Sequence, residues 1–214
     1  MKYNAVLFDL DGTLLDTLED LKDAVNHVLG QFGYPMRTIE EVRRFVGNGA
    51  GVLIQRSVPE GADPEPVFAA FRKFYDAHCQ EKTRPYDGIL DVLGRLGEEY
   101  PIAVVSNKPD SAVKALCADY FPGVYARGES TDCPRKPAPD MVWKAMEAIG
   151  VENCIYVGDS EVDVLTAKNA GVLCLSVLWG FRDKDELERA GAQCFCTHPS
   201  QIPDAIEKLL AATT

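Results

Sequence analysis

Two aspartates near the start of the chain, Asp9 and Asp11, stand where catalytic chemistry is expected. They follow the apolar run Val6–Phe8 and precede Gly12-Thr13. A short continuous apolar run predicts a buried strand, and open α/β sheets bind ligands beyond the carboxyl ends of their strands. An aspartate in that position can act as a nucleophile and form an aspartyl phosphate. The alternative is an Asx turn that closes the strand.

Polar residues recur near the ends of later apolar runs. They are Ser106 and Asn107 after Ile102–Val105, Asp159 and Asp163 after Cys154–Val157, and Lys136 ahead of a helical pattern. Taken singly, each has an ordinary explanation, such as a turn, a helix N-cap, a first-turn acid or a solvated lysine. A parallel sheet would nevertheless bring them to one edge. Crowded carboxylates need a cation to stay ionised, and such oxygen ligands suit Mg²⁺ with a substrate phosphate. The pattern therefore predicts phosphoryl transfer.

Strand and helix patterns alternate along most of the chain. The strand-like runs are Ala5–Phe8, Ile102–Ser106, Val124–Ala126, Cys154–Val157 and Val172–Leu178, and the helical patterns between them are Ile89–Glu98, Ser111–Tyr120, Pro139–Ile149 and Val162–Ala170. This alternation predicts an α/β fold with a parallel sheet covered on both faces.

One long interruption contains only helical patterns. It includes a helix ended by Gly33, a capping-box start at Thr38 and the aromatic stripe Phe68, Phe71, Phe74 and Tyr75, interpreted as helix-bundle core. We therefore predict a catalytic core of residues 1–15 and 83–214 and an inserted helical cap of residues 16–82.

Composition narrows the expected partners. The chain has 214 residues and a net charge of −11, which disfavours nucleic acid and anionic membranes as partners. No apolar run approaches the length of a membrane span, and the start of the chain leads directly into a strand, so we expect no signal peptide. The seven cysteines lack the spacing of a disulfide framework and suit a reducing compartment. We expect a cytoplasmic protein acting on a small phosphorylated metabolite.

The polar motifs resemble, in chain order, the four motifs of haloacid dehalogenase-like phosphatases. The matching residues are Asp9–Thr13, Ser106-Asn107, Lys136-Pro137, and Gly158–Ser160 with Asp163. The resemblance spans the chain and implies a Rossmann-like parallel sheet with a small helical cap inserted. Three further segments are most similar to the phosphoglycolate phosphatase-like branch, namely Asp16-Thr17, the glycine-rich segment Val46–Gly51, which is predicted to be a loop, and Arg84–Gly88.

The resemblance implies a Mg²⁺-dependent phosphatase that hydrolyses small phosphomonoesters, with phosphoglycolate a candidate substrate. Asp9 would be the nucleophile, and Asp11 would be first general acid and then general base. Ser106 and Lys136 would hold the transferring phosphoryl group, and Asp163 would orient Lys136 or a metal-bound water. For the metal the resemblance implies Asp9, the backbone carbonyl of Asp11, Asp159 and Asp163. For substrate contacts it implies Thr13, Asn107 and Gly49.

Two other functions stay open on the sequence. A phosphomutase of the β-phosphoglucomutase type shares the motifs and the cap, and a catalytically inactive binding protein could use the same scaffold. Asp11 disfavours dehalogenation, because that branch of the family lacks an acid at this position. The Cys194–Cys196 segment is interpreted as a short strand rather than a zinc site, which needs about four ligands. Trp179–Phe181 follows a strand, so it could border the site or cover the sheet edge, and we favour the structural role.

Overall fold

A computed structural model of the chain describes residues 4–212. The chain divides into two compact units, a core of Met1–Leu15 with Pro85–Thr214 and a helical insert of Asp16–Arg84. The described residues form eight strands, namely β1 Val6–Phe8, β2 Leu15–Asp16, β3 Arg84–Pro85, β4 Ile102–Pro109, β5 Tyr125–Glu129, β6 Ile155–Gly158, β7 Leu173–Val177 and β8 Phe195–Cys196. The short strands β2 and β3 pair with each other where the chain passes between the units.

The core is built on a six-stranded sheet in the order β5-β4-β1-β6-β7-β8. Every neighbouring pair is parallel, which confirms the predicted α/β fold. Strand β1 lies near the middle of this sheet. The chain then adds β4 and β5 on one side of β1, and afterwards β6, β7 and β8 on the other. This reversal at β1 is a topological switch point, where open α/β sheets bind their ligands.

Six helices of the core cover both faces of the sheet. They are α5 Ile89–Gly97, α6 Asp110–Tyr120, α7 Asp140–Ala148, α8 Glu161–Ala170, α9 Lys184–Ala190 and α10 Ile202–Ala212. Successive side chains of a strand point to opposite faces. Val6 and Phe8 accordingly pack with α5, α6 and α10, whereas Ala5 and Leu7 pack with α7 and α8. Burial on both faces explains why β1 is a continuous apolar run rather than an alternating one.

The insert consists of four helices, α1 Leu18–Gln31, α2 Ile39–Phe45, α3 Ala50–Ser57 and α4 Pro64–His78. Gly33 follows the end of α1 with a φ of 68°, as predicted for a C-terminal glycine. The capping box at Thr38 is confirmed, because the Thr38 hydroxyl accepts from the Glu41 N–H while the Glu41 carboxylate accepts from the Thr38 N–H.

The aromatic stripe of α4 forms only part of the core of the insert. Phe71 and Tyr75 are buried. Phe74 is half-buried and stacks against His27 and His78, with ring centroids 3.8 and 4.2 Å apart. His27 and His78 therefore have a structural role, as stacking partners of Phe74.

The glycine-rich segment Val46–Gly51 was predicted to be a loop, but only its first part is one. Gly49 is the N-cap of α3, and the helix begins at Ala50. Gly49 has a φ of 85°, a left-handed conformation that favours glycine. The predicted loop is therefore wrong in its second half.

A buried aspartate joins the two ends of the insert. The Asp20 carboxylate, near the start of α1, accepts from the Lys82 N–H at 3.0 Å and from the Thr83 N–H at 2.8 Å. These bonds satisfy backbone donors just before β3.

The short strand predicted in the Cys194–Cys196 segment is confirmed. All seven cysteines are free, and Cys196 lies in β8, paired with Val177 of β7. Cytoplasmic location stays a prediction. Across residues 4–212, no helix combines the length and apolarity needed to cross a bilayer.

Candidate active site

The predicted site residues gather at the switch point of the sheet. Asp9 directly follows β1 and Asp159 directly follows β6, while Ser106 lies in β4 on the other side of β1. Strand β4 was predicted to end at Ser106 but continues to Pro109, with an irregularity in its pairing with β5 after Val105. All three polar side chains are buried.

Lys136 is a buried cation and not the solvated lysine that its local sequence alone would suggest. Its residue surface is only 3% exposed. The ammonium Nζ lies 2.8 Å from Asp9 Oδ1 and 2.7 Å from Asp163 Oδ1, and it donates to the Tyr156 hydroxyl at 3.0 Å. Two carboxylates and one phenol therefore set the position of Lys136.

Asn107 holds the backbone of Lys136. Its Oδ1 accepts from the Lys136 N–H at 2.7 Å, and its Nδ2 donates to the Lys136 carbonyl at 3.0 Å. The sequence suggested a substrate contact for Asn107. The geometry instead gives both ends of its amide a part in positioning the lysine.

Asp163 links this cluster to α8. Its Oδ1 faces Lys136, while its Oδ2 accepts from the Ser160 N–H at 3.1 Å and from the Ser160 hydroxyl at 2.6 Å. The bond from the Ser160 N–H is one half of the capping box at the start of α8. The start of that helix therefore fixes the carboxylate that faces the lysine.

Asp159 is held by residues from two distant segments. Its Oδ1 accepts from the Thr13 hydroxyl at 3.1 Å, and its Oδ2 accepts from the Phe181 N–H at 2.7 Å. The Trp179 indole N–H donates to the Thr13 carbonyl at 3.1 Å. Trp179–Phe181 therefore borders the site, the alternative that the sequence left open, and its structural role is to support Thr13 and Asp159.

Two glycines leave the space that Asp159 occupies. A side chain at Gly12 or Gly180 would collide with the Asp159 carboxylate. Gly12 also has a φ of 83°, which favours glycine. The fully buried Thr13 hydroxyl is directed at Asp159, so the geometry favours a positioning role for Thr13 over the predicted substrate contact.

Asp11 has a partner that the sequence did not indicate. Lys108 Nζ lies 2.8 Å from Asp11 Oδ1, although the two residues are 97 positions apart. The Ser106 hydroxyl accepts from the Lys108 N–H at 3.2 Å. Gly49, the remaining predicted contact, lies in the insert as the N-cap of α3 and stays a prediction.

Three buried carboxylates form an acidic cluster that could hold a cation. Oxygens of Asp9, Asp159 and Asp163 all lie within 4.8 Å of one another. In the part of the chain that the structure describes, this is the one such group of His, Cys, Asp and Glu. The residues around Cys194 therefore form no second metal cluster.

The electrostatics of the cluster follow from burial and crowding. Burial and the charge of Asp163 raise the pKa of Asp9, while Lys136 opposes that rise. Burial and Asp163 also raise the pKa of Asp159, to about 7. Burial alone would lower the pKa of Lys136, but Asp163 and Asp9 raise it overall. The protein's own lysine therefore does not fully offset the carboxylates, and an added cation would favour their ionised forms.

Known proteins share both the sequence pattern and the fold. The family described as haloacid dehalogenase-like hydrolase matches residues 6–177. Phosphoglycolate phosphatase 1 of Pseudomonas aeruginosa is 38% identical over 189 residues, covering 82% of this chain and 70% of that protein. Phosphoglycolate phosphatase of Neisseria meningitidis is 35% identical over 222 residues, covering 96% of this chain and 91% of its own.

A solved structure agrees with these relatives. The protein from Lactobacillus delbrueckii subsp. bulgaricus, described provisionally as a phosphoglycolate phosphatase, superposes with a TM-score of 0.90 at 36% identity. The match covers 96% of this chain and 99% of that one. With the family match, the relatives and the shared fold, the chain belongs to the haloacid dehalogenase-like hydrolases.

Proposed function

We propose that this protein is a Mg²⁺-dependent phosphatase that hydrolyses small phosphomonoesters through an aspartyl phosphate on Asp9. The observation that carries the proposal is the position of Asp9 at the carboxyl end of the central strand, with Lys136 Nζ 2.8 Å from its carboxylate. A buried nucleophile beside a buried ammonium suits attack on a phosphate group, whose transfer depends on positioning and charge neutralisation.

The first half-reaction uses Asp9 and Asp11. The Asp9 carboxylate attacks phosphorus, and the bond from phosphorus to the alcohol oxygen breaks. Asp11 gives its proton to that oxygen as the alcohol leaves. Lys136 and the Ser106 hydroxyl hold the phosphoryl oxygens during transfer.

The second half-reaction reverses the role of Asp11. Asp11 takes a proton from water, and the water oxygen attacks phosphorus. The bond from phosphorus to Asp9 breaks, which releases inorganic phosphate and restores both carboxyl groups. One residue therefore serves as acid and then as base. Asp163 and Asn107 keep Lys136 in place throughout.

The acidic cluster fits Mg²⁺, which is usually held by one or two carboxylates together with substrate phosphate. We propose Asp9, Asp159 and the Asp11 backbone carbonyl as its ligands, with Asp163 joining directly or through water. When bound, Mg²⁺ supplies the charge that keeps these carboxylates ionised and neutralises phosphate oxygens. The raised pKa values of Asp9 and Asp159 support this assignment, since they mark a site with excess negative charge.

The relatives favour phosphoglycolate as the first substrate to test, because two proteins at least 35% identical to this chain are phosphoglycolate phosphatases by name. We propose the core as the catalytic domain and the insert as the substrate-selecting cap, with Gly49 as a candidate contact. The partner is then a small phosphorylated metabolite.

The test is phosphate release from a panel of phosphomonoesters in the presence of Mg²⁺, with Asp9→Asn and a matched control. Asp119→Asn removes a carboxylate from an exposed position on α6 and should behave as wild type. Asp9→Asn should retain less than about a hundredth of wild-type kcat, since loss of a nucleophile costs several orders of magnitude. Acid-quenched wild-type enzyme should carry phosphate on the peptide that contains Asp9. Substantial turnover by Asp9→Asn would exclude the covalent route.

A further inference from the structure

The mechanism above uses one buried lysine, Lys136, but the site contains a second. Lys108 Nζ lies 2.8 Å from Asp11 Oδ1, and the two side chains are 5% and 14% exposed. Lys108 belongs to β4, and its N–H donates to the Ser106 hydroxyl. Ser106, which would hold phosphate, thus fixes the backbone of Lys108. Asp11, which would protonate the alcohol, fixes its ammonium.

The position of this ammonium relative to the reaction follows from the role of Asp11. A proton donor must lie within hydrogen-bond reach of the oxygen that it protonates. Lys108 Nζ is one hydrogen-bond length from the Asp11 carboxylate. With Asp11 as the proton donor, the ammonium is separated from the leaving oxygen by no more than the Asp11 carboxylate and two hydrogen bonds.

A buried cation at that place favours a particular kind of alcohol. Asp11 already provides one opposite charge to the Lys108 ammonium, and a second carboxylate, on the substrate, would add a hydrogen bond between charged groups, which is stronger than a neutral one. A neutral alcohol would present no opposite charge to the Lys108 ammonium. An alcohol that carries a carboxylate one carbon away from its oxygen would present negative charge to the ammonium.

Resting on the proposed phosphatase function, we propose that Lys108 determines specificity by binding a carboxylate attached directly to the carbon that carries the ester oxygen. The substrates selected in this way are phosphate esters of 2-hydroxy acids, of which phosphoglycolate is the smallest. Lys136 then binds the phosphoryl group and Lys108 binds the acid group of the same substrate. Sites built to pair with a polar group of the substrate discriminate strongly against analogues that lack it.

The experiment compares phosphoglycolate with its carboxamide, which has nearly the same size and the same leaving oxygen but no charge. Both are assayed with wild type, Lys108→Met and Lys108→Arg. The matched control is Lys114→Met, which removes a lysine that is 59% exposed and paired with Asp110 on α6. p-Nitrophenyl phosphate serves as a general phosphatase substrate, and circular dichroism monitors folding of each variant.

Wild type should prefer phosphoglycolate to the carboxamide by about 30-fold in kcat/KM, the size of one hydrogen bond to a charged group. Lys108→Met should lower both activities because it also disturbs Asp11, but it should reduce the preference to within about threefold of unity. Lys108→Arg should retain part of the preference, because it keeps the charge but changes its geometry. Lys114→Met should leave the preference unchanged.

Three outcomes would overturn the inference. An equal loss on both substrates in Lys108→Met, with the preference intact, would show that Lys108 only positions Asp11. Absence of any preference in wild type that hydrolyses p-nitrophenyl phosphate would refute the carboxylate subsite and leave the phosphatase proposal standing. Absence of hydrolysis of every ester would refute the phosphatase proposal itself. If Lys108→Met fails to fold, the wild-type preference and Lys108→Arg still decide.

Discussion

The hydroxyl of Tyr156 should contribute to both stability and catalysis, and Tyr156→Phe tests this. Tyr156 is a fully buried residue of β6. Its hydroxyl accepts from Lys136 Nζ at 3.0 Å and donates to the Val105 carbonyl at 3.2 Å, with Asp163 Oδ1 a second acceptor at 3.4 Å. Phenylalanine keeps the ring and its packing but removes all of these bonds, so the substitution isolates the hydroxyl.

The structure sets the size of the expected effects. A hydrogen bond to a charged group contributes about 1.5–3 kcal/mol, and an unsatisfied buried group costs about 1–3 kcal/mol. Lys136 keeps Asp9 and Asp163 as partners, so the loss should lie near the lower end. We expect the free energy of unfolding to fall by about 2 kcal/mol and kcat/KM to fall roughly tenfold, since positioning errors at a reacting centre are costly.

The assay pairs urea unfolding with steady-state phosphate release. Tyr34→Phe, at a half-buried position of the insert, is the control and should change stability by less than about 0.5 kcal/mol. Lower stability of Tyr156→Phe with unchanged kcat/KM would refute the positioning of Lys136 and leave a structural hydroxyl. Unchanged stability would refute the energetic argument altogether.

Four further predictions follow from the site and its supports. Excess chelator should abolish activity and Ca²⁺ should inhibit, because Ca²⁺ is larger and takes more ligands than Mg²⁺; equal rates with both ions would contradict this. Burial raises the pKa of Cys117 and Cys154 to about 12, so both stay protonated at pH 8 and should react with a thiol reagent only after unfolding, as labelled peptides would show. Asp20→Asn should lower the free energy of unfolding by about 1–3 kcal/mol, because an amide group would face the N–H groups that the carboxylate now accepts; urea unfolding measures it, and an unchanged midpoint would count against those bonds. With β-glucose 1-phosphate and catalytic glucose 1,6-bisphosphate, inorganic phosphate should form faster than glucose 6-phosphate, since the Gly47–Gly51 segment has no charged side chain to bind a second phosphate; the opposite order would favour a phosphomutase.

The sequence predicted those elements of the fold whose physical cause lies within a short segment of the chain. Runs such as Val6–Phe8 and Cys154–Val157 predict strands because burial on both faces demands apolar residues at every position. The Thr38 capping box is likewise local. Helices α9 and α10 were not predicted, although both have local signals: a capping box at Asp183 and apolar spacing at Ile202 and Ile206 that matches a helical face.

The supports of the site were harder to predict, because they join residues far apart in the chain. The Trp179 indole reaches the Thr13 carbonyl across 166 positions, and Lys108 reaches Asp11 across 97. Tyr156 looks like any apolar strand residue until its neighbours are known. No periodicity or local motif predicts such contacts, because they depend on the strand order of the sheet and on which side chains face each other there.

The charges of the site explain how an acidic protein could accept an anionic substrate. The chain has a net charge of −11, yet its candidate site combines four aspartates with two lysines, Lys108 and Lys136. With all six groups ionised, as after Asp11 has given its proton to the alcohol, the excess is two negative charges, which one Mg²⁺ would neutralise. On the proposed mechanism, phosphate would then meet Lys136 and Mg²⁺, and a carboxylate on the alcohol would meet Lys108. Because long-range repulsion between exposed charges is screened by salt over about 8–10 Å, this local balance, rather than the net charge, should decide which anions bind.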